Sequence, residues 1–118
     1  MNVHFDVITS AWNAAMSLLD HHGDSKEDIG IATERFLKRR ACAGHSRDEC
    51  EKEFVNALRV ARAAILFRRA KTGQLPPSPV RRYELLLQFA RELATECPEA
   101  NDYTMMAGCR TVEMYWDR

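Results

Sequence analysis

Apolar residues recur along this chain at three- and four-residue steps, the spacing that gathers them on one face of an α-helix. Phe5, Ile8, Trp12, Ala15 and Leu19 form the first such set, and the helix they predict ends near His21, with Gly23 placed for a left-handed terminus. Ser25 and Asp28 resemble a capping box with the shorter acid, and Ile29, Ala32 and Phe36 mark a second helix running to about Ala41 before Gly44 stops it. Lys38, Arg39 and Arg40 fall in its last turn, where the helix dipole favours cations. Ser46 and Glu49 open a third helix with an S-x-x-E box, and no breaker intervenes before Thr72-Gly73. This segment, about 46–71, is amphipathic through Cys50, Phe54, Ala57 and Leu58, then apolar on almost every side from Val60 to Phe67 except at Arg62. It is therefore expected to be the central helix. The stretch QLPPSP cannot be helical in its middle, because proline removes a donor and excludes the preceding residue from the helical region. Ser78 and Pro79 then begin a fourth helix with Tyr83, Leu86, Leu87, Ala90, Leu93, Ala94 and Cys97 on its predicted core face. Pro98 ends it, Asn101 or Asp102 caps a fifth, and Met105, Cys109, Val112 and Trp116 share that helix's apolar stripe.

No segment alternates apolar and polar residues as a strand does, so the expectation is all-α: one compact bundle of about five helices spanning residues 1–118. Trp12, Phe54, Leu58, Ile65, Leu86 and Leu93 are its expected core. With 118 residues, 46% of them hydrophobic, the chain has the size and apolar content for one helical core. The start lacks a basic region ahead of an apolar run, and no window approaches the ~20 apolar residues of a spanning helix. A cytoplasmic protein with no membrane contact is expected, its four cysteines present as thiols.

Charge changes the picture through its placement. Lysine plus arginine and aspartate plus glutamate are equal at 17 each, which argues against a dedicated nucleic-acid binder. Residues 54–83, however, carry seven bases and no acid, between segments with an acidic excess. Arg59, Arg62 and Arg69 lie within about 80° of one another on the third helix, and Arg68, Lys71, Arg81 and Arg82 come from its end and the start of the fourth. The helix dipole accounts for Arg68, Arg69 and Lys71, and neighbouring glutamates can pair with others. Arg81 and Arg82, in a first turn, are on the unfavourable side of the dipole, which an acidic partner would offset.

Other groupings have plainer readings. Asp20-His21-His22 spells the triplet of a phosphoesterase family and, with Asp24, offers donors for a divalent metal. That family's larger α/β domain and further aspartates are lacking, and a helix end explains the same residues. Cys42, His45, Cys50, Cys97 and Cys109 sit near two turns and would make a tetrahedral zinc site if those turns met, but their spacings match no zinc knuckle. Ala43-Gly44-His45-Ser46-Arg47 resembles a helix-turn-helix turn, yet Asp48, Glu49, Glu51 and Glu53 would meet phosphates at the start of the recognition helix. Pro76-Pro77-Ser78-Pro79-Val80-Arg81 fits the loose P-x-x-P-x-R pattern of SH3 ligands, and equally a stiff loop followed by a Ser-Pro helix start. No nucleophile elbow, phosphate-binding glycine loop, H-E-x-x-H or paired C-x-x-C occurs.

The sequence thus points to a non-catalytic protein-binding module without a cofactor, comparable in size to small inhibitors and adaptors such as phage or mobile-element factors that block host machinery. Its expected contact surface is the basic end formed by Arg59, Arg62, Arg68, Arg69, Lys71, Arg81 and Arg82, engaging an acidic protein. Nucleic-acid binding through the same arginines is the first alternative, and a small metal-dependent enzyme at His21 and His22 the second.

Overall fold

The computed structural model describes residues 5–23, 25–70 and 78–116, without the side chains of 115 and 116. Asp24, Lys71, Pro76, Pro77 and the indole of Trp116 therefore lie outside the described residues. Among the described residues five α-helices follow one another: α1 (Phe5–His21), α2 (Lys26–Leu37), α3 (Arg47–Ala70), α4 (Pro79–Glu96) and α5 (Asp102–Trp116), with a 3-10 turn (Arg40–Cys42) between α2 and α3. Among the described residues there is no strand.

Each predicted cap is formed. The Asp28 N–H donates to Ser25 Oγ (3.1 Å), the Glu49 N–H to Ser46 Oγ (3.1 Å), and the Arg81 N–H to Ser78 Oγ (3.3 Å). These bonds satisfy amides that a helix start leaves without partners. At α5 the cap is Asn101 rather than Asp102: its Oδ1 accepts from the Thr104 N–H (2.8 Å) and its Nδ2 donates to Glu53 Oε2 on α3 (2.7 Å). Buried Asn56 adds a bond from Nδ2 to the Glu99 carbonyl (3.3 Å), so two α3 side chains fasten the α4–α5 turn.

α3 is the central helix, packing most extensively with α1 and α5. Alanines recur where α1 and α3 face the core, with Ala11, Ala14 and Ala15 buried on one and Ala57, Ala61 and Ala64 on the other. Small side chains permit a short distance between axes. α5 approaches closely at Gly108, where a Cβ would lie 2.5 Å from the Val60 Cγ1. α2 contributes Phe36, fully buried and stacked on Phe54 with ring centroids 5.3 Å apart.

Several local expectations are corrected. α2 stops at Leu37, not Ala41. A continued helix would turn Cys42 about 120° away from Phe36; instead Arg39 is extended, its guanidinium donating to the Ser10 carbonyl (3.4 Å) and Oγ (3.2 Å), and Cys42 folds inward to donate its S–H to the Phe36 carbonyl (3.4 Å). In α1, Phe5 is 58% exposed and rests edge-on against Tyr103, while Val7 and Leu18 are buried. In α4 the core face is Leu85, Phe89 and Leu93, roughly a quarter turn from the predicted one. Tyr83 and Leu87 are therefore exposed and Leu86 is half-buried, as is Ile65 on α3.

Candidate interaction surface

The core side of α3 is defined by Cys50, Phe54, Ala57, Ala61 and Ala64. On the far side, centred at about 140° around the helix, Val55, Arg59, Arg62, Leu66 and Arg69 form one outward stripe. Arg59 and Arg69 are exposed, Arg62 is half-buried, and Leu66 is 55% exposed. An exposed leucine is common by itself. Its surroundings distinguish this one, because three shallow grooves meet at it. One, about 260 Å³, has Arg59, Arg62 and Ala63 along α3 and Glu96 and Cys97 across from them. A second, about 250 Å³, runs toward α1 between Arg62, Ile65 and Arg69 on one side and Leu19 and Gly23 on the other. The third, about 270 Å³, lies between α3 and α4 over Phe67 and Phe89, with Glu92 and Glu96 on its α4 rim. Those two rings are 5.1 Å apart and close the groove's floor.

Of the seven cations expected to gather, the fold sets Arg59, Arg62 and Arg69 around these grooves. Arg81 lies on α4 and donates to Glu84 (3.1 Å), an exposed pair of the kind worth little to stability. Arg68 and Arg82 are half-buried and make contacts of their own. Lys71 is outside the described residues. Periodicity missed Leu66, while Glu92 and Glu96 were among the neighbouring glutamates expected to pair with the arginines. Leu66 was discoverable, since it shares the stripe of the three arginines, and the glutamates stand across the grooves from them because α4 runs antiparallel beside α3.

The other candidate groups are dispersed. His21 and His22 are exposed at the end of α1, and His22 borders a groove of about 230 Å³ between α1 and α2 whose Asp28 is held by the hydroxyl of Ser25 (2.8 Å). Cys42 and Cys50 come together, both buried. Burial, reinforced by the Cys50 thiol beside it and only partly opposed by Arg39, pushes the Cys42 thiol up to about 12. Burial also raises Cys97, with Glu96 adding to it, and raises Cys109, with Glu113 adding to it. Among the described residues no three histidine, cysteine or acidic side chains converge as a metal site would require. No described helix is long and apolar enough to cross a membrane. No protein-family model matches the chain, and no curated protein or solved structure is significantly similar to it.

Proposed function

We propose that this protein is a non-catalytic binding module, an inhibitor or adaptor, whose outer α3 face receives an acidic amphipathic segment of a protein partner. The observation that carries the reading is the interleaving of Arg59, Arg62 and Arg69 with the exposed Leu66 on one face, where grooves offer both apolar floor and cationic rim. Arginine is among the residues that most often dominate the energy of protein interfaces, and Leu66 adds apolar area beside it. A helix laying its apolar residues along the Leu66 grooves would bring its carboxylates to the arginines as charge-assisted, two-pronged hydrogen bonds. Glu92 and Glu96, on the opposite rim, favour a helix over a nucleic acid, because a helix can turn carboxylates toward the arginines and neutral or basic side chains toward the α4 rim, whereas a phosphate backbone is uniformly anionic.

The test compares two charge reversals. Arg59→Glu with Arg69→Glu should lower capture of the partner from lysate by roughly tenfold or more. Lys26→Glu with Arg110→Glu, which removes the same charge from exposed positions elsewhere, should leave capture nearly intact. Leu66→Ser should weaken capture without lowering the melting temperature. Equal losses from both reversals would reduce the effect to net charge, and no loss from the first would remove this surface from consideration. Steeply salt-dependent binding to duplex DNA by the unaltered chain would transfer the arginines to a nucleic-acid role.

A further inference from the structure

α4 carries more apolar surface than the described residues cover. At 100° per residue its apolar positions span roughly 220°, about twice the stripe that a helix needs to pack on one core. Leu85, Phe89 and Leu93 are buried, Leu86 and Ala90 are half-buried, and the arc continues outward to Val80, Tyr83, Leu87 and Ala94. Val80 is 69% exposed, Tyr83 65% and Leu87 38%. With Ala90 these residues step along the helix by three, four, three and four, the alternation of a two-helix seam. The stripe lies on the side of α4 away from Glu92 and Glu96, so it is separate from the grooves around Leu66.

We infer that this stripe is the contact face of a two-fold dimer, in which α4 of a second copy lies antiparallel along it. Size and charge both select that occupant. The large residues Val80 and Tyr83 occupy the first half of the seam and the small residues Ala90 and Ala94 the second. A two-fold axis near Leu87 therefore sets large against small at each end and leucine beside leucine at the centre. A parallel arrangement would instead oppose Tyr83 to Tyr83 and leave the alanine end underfilled. Glu84 and Arg91 flank the seam on one side, two helical turns apart, and the same axis brings each Glu84 level with the partner copy's Arg91. Glu84 already accepts from Arg81 (3.1 Å), and its second oxygen remains available to another guanidinium.

Sedimentation across a concentration series tests this directly. The unaltered chain should reach twice its 13.5 kDa mass at tens of micromolar. Leu87→Glu should hold it monomeric with an unchanged helical spectrum. Glu84→Arg alone sets arginine against Arg91, and Arg91→Glu alone sets glutamate against Glu84. Each should therefore weaken self-association by roughly tenfold, while an equimolar mixture of the two single variants should restore it by pairing one with the other. An unaltered chain that stays monomeric, a dimer indifferent to Leu87→Glu, or a mixture no more associated than its components would each overturn the inference.

Discussion

At the scale of single residues, conformation follows local chemistry wherever partners lie three or four positions apart. Ser25, Ser46, Ser78 and Asn101 each cap a helix because an oxygen acceptor there reaches an amide three residues on, and this much is legible from spacing. Cys42 is the opposite case. Sequence places it near the turn between the second and third helices and cannot say whether that turn exposes it, because its burial depends on the break after Leu37 and on the Arg39–Ser10 contact 29 residues away. With its thiol raised to about 12 by burial first and by Cys50 second, it carries almost no thiolate at neutral pH. Cys109 is the one half-exposed cysteine among four otherwise buried positions. Under native conditions a thiol reagent should therefore modify Cys109 first, and Cys42, Cys50 and Cys97 only as the protein opens, an order that mass spectrometry of timed samples can read. Early modification of Cys42 would show that the turn is not folded inward.

At the scale of elements, α4 shows how a correct helix can carry a wrong face. Leu85, Leu86 and Leu87 point in three successive directions, so the run alone cannot select the buried side. The choice is made by contacts remote in sequence: Phe89 meets Phe67 across the groove, and Phe89 and Leu93 pack beside Gly108 of α5. Energetics should follow the observed face. Leu93, 1% exposed, should cost roughly 2–5 kcal/mol on truncation to alanine, the range for emptying a packed leucine site. Leu86→Ala should cost about 1 kcal/mol, since part of that side chain already meets water. Urea unfolding of the two variants, compared with Tyr83→Ala as an exposed control, decides the matter. A larger loss at Leu86 than at Leu93 would return α4 to the orientation that its periodicity suggested.

For the whole molecule, the helix count, the central position of α3 and the basic segment were visible in the sequence, because each depends on order along the chain. Which cations share a surface was not, since that depends on how α3 and α4 lie side by side. The same arrangement implies unequal stability within one fold. α3 buries residues from Cys50 to Ala64 and is flanked by α1 and α5, so opening its middle requires dismantling nearly every packed contact. α2 buries Phe36 alone among its residues, and the first two turns of α4 bury only Leu85. Local opening costs little where few apolar contacts are lost, and approaches the global unfolding free energy where the core itself must separate. Hydrogen exchange in dilute solution should accordingly find the slowest amides in the middle of α3 and in α1 from Ala11 to Leu18, with α2 and the start of α4 exchanging well before them. Raising the concentration should slow the amides of α4 selectively if a second copy covers its outer stripe, while leaving α2 unchanged. Equal protection of α2 and α3 in dilute solution would mean that the five helices open only together, and that the peripheral pair is held as firmly as the core.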